Sequence, residues 1–279
     1  MLITAIILGL LSLVIITAVI FLTKKSALGV PSANLNAYQS TLFFFVCTML
    51  LFVGLSIAKF VAKLDLGESN IYISTVFLQV SFSVAVLLLA RKLAVKISIG
   101  NVGESLKSGV LYFVSAISAM MCGGCISILY KLITGEDIEK QQAVALFMDI
   151  DILWLKIFAG FSIIVLAPIA EELFFRGLLY PCVKGWVAQY FGVSSEMNNI
   201  NIFKNKVSVV VSAVIVSILF SMIHSSIFAF LPIFIIGIIL VCAYEKTGSI
   251  IAPITTHMLF NLANVLIIVF SQNESLFNK

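Results

Sequence analysis

Three ionisable side chains crowd into six residues of an otherwise apolar stretch, Ala167-Pro168-Ile169-Ala170-Glu171-Glu172-Leu173-Phe174-Phe175-Arg176-Gly177. Glu172 and Arg176 stand four apart, so a helix stacks them on one face where they can form an ion pair. Glu171 lies about 100° around that helix, from about 3.6 residues per turn, and cannot share the guanidinium equally. One carboxylate is then structural, and the other stays available as a general base or acid. The blander alternative makes all three an ion-pair network that glues helices together. Inside lipid each such side chain costs about 2.5–3.5 kcal/mol, and intramembrane charges are functional by default.

The chain has two histidines, and both fall within apolar runs. His224 ends Leu219-Phe220-Ser221-Met222-Ile223-His224, and His257 sits in Pro253-Ile254-Thr255-Thr256-His257-Met258-Leu259-Phe260-Asn261. Asn261 lies one helical turn beyond His257 on the same face. A lone core histidine is more often structural than catalytic. Two histidines, both beside membrane-embedded polar groups, are hard to attribute to packing. Glu171, His224, His257 and Asn261 supply a base, two imidazoles and an amide donor. That set suits attack of water on a carbonyl: base and imidazole activate the water, imidazole and amide hold the oxyanion.

The elements that must position these groups follow from composition. Of the 279 residues 61% are hydrophobic and 11% charged, with a mean hydropathy of +1.17. That is too little polar material to clothe a water-facing globule, which excludes a soluble enzyme. A span needs about 20 apolar residues. The sequence predicts an all-α, polytopic transmembrane bundle of about eight spans, near 2–23, 41–61, 71–90, 108–130, 157–181, 207–224, 227–244 and 249–270. The whole of 1–279 reads as one membrane domain, in which the spans of 1–130 have no assigned role. The first run is too long for a signal peptide, lacks a basic leader and precedes Lys24 and Lys25, so it reads as a retained span.

With eight spans, the connections after the first, third, fifth and seventh hold ten Lys and Arg residues. The other side holds six, diluted by acidic side chains. The positive-inside rule then puts both termini outside. Residues 91–107, with Arg91, Lys92 and Lys96 among Leu93, Val95 and Ile97, read as an interfacial helix. Trp154 and Trp186 flank the fifth span as interfacial anchors. Lys59 reads as snorkelling at a span end. Glu245 and Lys246 read as solvated in a turn before Gly248. Cys122-Gly123-Gly124-Cys125 has redox or metal spacing, but at mid-span it reads as small residues allowing close helix approach. Five cysteines give no disulfide framework, and no basic aromatic patch suggests nucleic acid.

Three motifs in this order, EExxxR (Glu171, Glu172, Arg176), FxxxH (Phe220, His224) and HxxxN (His257, Asn261), resemble the CAAX protease and bacteriocin-processing (CPBP, Abi) family of intramembrane proteases. Tyr244-Glu245-Lys246-Thr247-Gly248-Ser249-Ile250-Ile251-Ala252-Pro253 resembles that family's lead into its last motif. The likeness covers about 157–265, a CPBP-like catalytic core. It implies that Glu171 and His224 activate the hydrolytic water, that His257 and Asn261 hold the oxyanion, and that Glu172 and Arg176 organise the site. It also implies a multi-pass protein of the cell membrane. Family members remove the last three residues of prenylated CaaX proteins, or are linked to maturation of, or immunity to, bacteriocins and signalling peptides; the prokaryotic-like composition favours the latter. The partners implied are membrane lipid and a peptide or protein substrate, with no nucleic acid.

No cofactor is required in this reading. Zinc is the alternative, since Glu171, His224 and His257 would make a three-ligand catalytic site. Against it, the chain lacks a His-Glu-x-x-His arrangement, and an amide stands where a stronger ligand could be. Two other classes of function compete: a non-catalytic immunity or scaffold protein that binds a peptide in the same pocket, and a proton-coupled transporter, which the lack of an internal repeat disfavours. Depth is the point of tension. Counted at about 1.5 Å per residue, Glu171 and His257 fall toward the inner side of the membrane, whereas His224 falls near the outer face. A re-entrant link, a tilted span or a span beginning inside the cytoplasm would reconcile them.

Overall fold

The computed structural model describes residues 30–33, 35–36, 39–41, 43, 68–136, 144, 147–193, 199–224 and 226–277. Among these residues the fold is helical, with no strand. The elements are α1 (Glu68–Lys92), α2 (Val102–Thr134), α3 (Leu153–Tyr190), α4 (Asn199–Met222), α5 (Ile227–Thr247) and α6 (Ile251–Phe277). All six are long and apolar enough to cross a membrane. They correspond to the last six of the eight runs read from the sequence. The runs near 2–23 and 41–61, and Lys59, lie outside the described residues apart from a few positions.

Local chemistry sets the helix ends. The Asn101 side chain caps α2 by accepting the Glu104 N–H at 3.1 Å, and Ser226 caps α5 by accepting that of Ala229 at 3.3 Å. At the far end of α5 the chain turns through Gly248 at φ 64°, a conformation that glycine adopts without steric cost, and its N–H bonds the Tyr244 carbonyl. That turn leads directly into α6.

The helices pack α2 against α5 and α6, α5 against α4, and α3 among α1, α4 and α6. Small residues allow the closest approaches. A Cβ on Gly109 would stand 2.6 Å from Cβ of Thr255 and 2.9 Å from the Ala252 carbonyl, so α2 lies almost backbone to backbone on α6. Thr256 Oγ1 donates to the Gly109 carbonyl at 3.0 Å across the same contact.

Three sequence expectations are corrected. Residues 91–107 are not an interfacial helix. The chain leaves α1 at Lys92, passes Ala94 at φ 55° and runs without regular helix to the cap at Asn101. The Leu93 and Val95 N–H groups bond back to the Leu89 and Ala90 carbonyls, an αL turn that ends α1 with both side chains buried, while Lys96 stays exposed and the Ser98 carbonyl accepts the Ile250 N–H at 2.8 Å. Glu245 is not solvated. It accepts from Lys184 Nζ at 2.5 Å and from the Tyr180 hydroxyl at 2.8 Å, while Lys184 also donates to the Val30 carbonyl. Trp186 is half-buried, stacked edge-on to Phe43 and donating to Ser40 Oγ at 3.1 Å, so it holds the N-terminal segment instead of facing headgroups; Trp154 is exposed.

If the α2–α6 contact governs stability, Gly109→Leu will lower the thermal unfolding midpoint in detergent, an overpacking cost of about 1–3 kcal/mol. Gly124→Leu in the same helix, where an added Cβ meets nothing within 4 Å, will leave the midpoint unchanged.

Candidate active site

Glu171, Glu172 and Arg176 all belong to α3, a helix of 38 residues. At about 1.5 Å per residue it is about 57 Å long, against a hydrocarbon core of about 30 Å. The helix is wound unevenly. Ser162–Leu166 and Leu173–Leu179 adopt wide π-type turns, and the regular segment Ala167–Glu172 between them carries both glutamates. Such turns inside α-helices concentrate at functional sites.

The Glu172 and Arg176 side chains are both 0% exposed, with Nη1 donating to Oε1 at 2.8 Å. The second guanidinium arm donates to the Gly237 carbonyl of α5 at 3.1 Å. Glycine at 237 lets α4 close on α5, since a Cβ there would stand 2.9 Å from Cβ of Ser217. His257 of α6 directs Nδ1 at the same Glu172 oxygen, 2.9 Å away. One carboxylate thus joins α3, α6 and, through Arg176, α5. In an interior with little water this is the arrangement that makes a buried ion pair tolerable, each charge being met by more than one partner.

Glu171 is held differently. Its side chain is 27% exposed, and its nearest ionic neighbour is Nε2 of His257 at 3.9 Å from Oε2. Oε2 makes no hydrogen bond. A separation of 3.9 Å is too long for a direct hydrogen bond and is within reach of one bridging water.

His224 lies just past the end of α4, half-buried, with Nδ1 2.9 Å from the Phe220 carbonyl. Donation from Nδ1 to that carbonyl leaves Nε2 as the ring's acceptor. Phe220 ties this histidine to the rest of the site. Its ring centre is 5.1 Å from that of His224, 5.8 Å from that of His257 and 5.1 Å from that of Phe175, and the Arg176 guanidinium carbon lies 4.4 Å from it. The last is within cation–π range. Asn261 donates Nδ2 to the Ile163 carbonyl of α3 at 2.9 Å, one turn along α6 from His257.

The structure therefore brings Glu171, Glu172, Arg176 and His257 into direct contact, sets His224 beside them through Phe220, and docks Asn261 onto α3 next to His257. The depth conflict over His224 is answered by helix length. α4 starts at Asn199, about two turns before the apolar run, and α3 runs on to Tyr190, so the pair projects well beyond the site before α4 returns to it. Phe220 and Gly237 join the site although neither carries a chemical group that marks it in the sequence. An aromatic one turn before a membrane-embedded histidine was the available signal for the first; a glycine inside a span was the only signal for the second.

Among the described residues no group of three or more His, Cys, Asp or Glu side chains is placed to hold a metal ion, and His257 directs Nδ1 at Glu172 and Nε2 toward Glu171.

Because removal of Arg176 would leave a buried carboxylate without its main partner, Arg176→Ala will cost about 3–5 kcal/mol. Glu172→Leu combined with Arg176→Met removes both charges and will restore most of the thermal stability in detergent, although it also removes the partner of His257.

Residues 153–263 match the family model for type II CAAX prenyl endopeptidase, Rce1-like. No curated protein and no solved structure matches the chain. The matched stretch opens with the first residue of α3, closes just after Asn261 and contains all six residues of the site. Residues 153–263 of this multi-pass helical membrane protein thus match the Rce1-like type II CAAX prenyl endopeptidase domain, consistent with the CPBP family that its motifs resemble.

Proposed function

We propose that the protein is a membrane-embedded endopeptidase that hydrolyses a peptide bond in a peptide or protein segment presented at the bilayer. The observation that carries this reading is the unequal condition of the two adjacent glutamates. Oε2 is unbonded in both, so exposure and the engagement of Oε1 distinguish them: Glu172 is fully buried and engaged through Oε1 by both Arg176 and His257, while Glu171 is 27% exposed and has His257 Nε2 at 3.9 Å as its ionic neighbour. A carboxylate so placed is the group that can take a proton from water.

In the proposed reaction Glu171 accepts a proton from water, His224 Nε2 accepts a hydrogen bond from it, and the water oxygen attacks the substrate carbonyl carbon. The Nδ1 contact with Glu172 orients the His257 ring so that, with both ring nitrogens protonated, Nε2–H donates to the developing oxyanion. Asn261 has a second N–H beyond the one directed at Ile163, and it serves the same oxyanion. The C–N bond then breaks as Glu171 passes its proton to the leaving nitrogen, which yields one new carboxyl end and one new amino end. This uses no metal step. The substrate class is a membrane-associated bacteriocin or signalling peptide, in maturation or in self-immunity. That choice rests on the family likeness and the apolar surroundings.

The test is incubation of the purified protein in proteoliposomes with a library of lipid-anchored peptides, followed by sequencing of new amino ends. Wild type will produce them. Glu171→Gln, His224→Ala and His257→Ala will lower the rate at least about 100-fold, as for loss of an acid–base or oxyanion group, with helix content unchanged. Binding of peptides without cleavage by wild type would instead establish the non-catalytic scaffold reading.

A further inference from the structure

Asn261 reaches a backbone carbonyl in the middle of a helix, where carbonyls normally have a partner within the helix itself. Ile163 lies in the wide turn Ser162–Leu166. In regular α-helix its carbonyl would accept the N–H of Ala167, but that N–H goes to Ser162. In the wider register it would accept the N–H of residue 168, and residue 168 is proline, which has none. Neither register supplies a donor, so the Ile163 oxygen is left for a side chain. The Asn261 amide takes it at 2.9 Å.

We infer that Pro168 is a positioning residue for Asn261: by withholding a backbone N–H, it frees the Ile163 carbonyl that fixes the Asn261 amide against α3. Pro168 is buried and stands three residues before Glu171, next to the widened turn onto which the amide is fixed. One amide hydrogen is bound to Ile163, and the planar amide thereby fixes the direction of the other. The neighbouring Ser162 hydroxyl donates to Gln79 Oε1 of α1 at 2.8 Å, which holds the widened turn in place from the opposite side. The placement is independent of the hydrolytic reading above; what the second N–H does in hydrolysis rests on that reading.

The experiment is a double-mutant cycle on the full chain in detergent, read as the thermal unfolding midpoint, with cleavage of the lipid-anchored peptides as a second readout. In the Pro168 background, Asn261→Ala will lower the midpoint by about 2–4 °C, the size expected for leaving one buried carbonyl unpaired. In the Pro168→Ala background the new N–H serves Ile163, and Asn261→Ala will lower the midpoint by less than half as much. Equal losses in both backgrounds overturn the inference. Should Pro168→Ala not fold, an α-hydroxy acid at position 168, which lacks the N–H as proline does, will retain the full Asn261→Ala loss; its absence there overturns the inference equally. Asn261→Asp, near in shape but without a donor, will match Asn261→Ala. In the cleavage assay Pro168→Ala will lower kcat about tenfold, a partial loss of one oxyanion donor. KM will stay within about twofold, and the α-hydroxy acid variant will keep the wild-type kcat. Unchanged kcat in Pro168→Ala overturns the catalytic half. A wild-type protein that cleaves nothing, with the thermal coupling intact, removes the peptidase reading and leaves the placement standing.

Discussion

The site depends on one buried carboxylate. Glu172 Oε1 meets the Arg176 guanidinium at 2.8 Å and His257 Nδ1 at 2.9 Å, with no exposed surface on Glu172 or Arg176. Without Arg176, Glu172 would be a lone charge in an apolar bundle. Without Glu172, His257 would lose the contact that orients its ring. The pair also ties helices together, since Arg176 reaches the backbone of α5 and His257 arrives from α6. Because these demands are met inside the protein, the neighbouring glutamate needs no structural partner. Its partial exposure follows from that division.

The helices add a second constraint, which is where their regular ladder fails. α3 is interrupted by two wide turns on either side of the glutamates, and one of them leaves the carbonyl to which Asn261 is docked. Phe220 lies between the two histidines, with both imidazoles in T-shaped contact with its ring and Arg176 over it. Close backbone approach at Gly109 lets α2 close on α6, and at Gly237 lets α4 close on α5. Lys184, Tyr180 and Glu245 form a second buried polar group farther along α3, which joins it to α5 and to the segment at Val30.

Much of this was legible in the sequence because membrane helices announce themselves by length and apolarity, and because a spacing of four residues fixes a shared face. The pairing of Glu172 with Arg176, and the surplus of Glu171, followed from that spacing alone. Other features depended on tertiary contacts that no periodicity encodes. Glu245 looked solvated because it sits beside Lys246 and Gly248, yet it is buried on Lys184, which lies 61 positions earlier. Residues 91–107 have the charge pattern of an interfacial helix, but the left-handed turn at Ala94 ends α1 and Ser98 is anchored on Ile250, so the chain up to Asn101 is not helical. The depth of His224 is ambiguous in the sequence because an apolar run marks where lipid begins, not where a helix begins; of the reconciliations, a helix that starts before the apolar run is the one found. The work of Pro168 was hidden because a proline within a span is ordinarily read only as a kink.

The division of labour between the adjacent glutamates is tested most directly by chemical rescue. Glu171→Ala and Glu172→Ala proteins would be assayed in proteoliposomes with and without added formate, a small carboxylate that can occupy the space of a missing side chain. The account predicts that formate restores cleavage in Glu171→Ala, where the missing group is an accessible base. It predicts no recovery in Glu172→Ala, where the missing group held Arg176 and His257 in place. Recovery in Glu172→Ala alone, or an equal response in both, would contradict it.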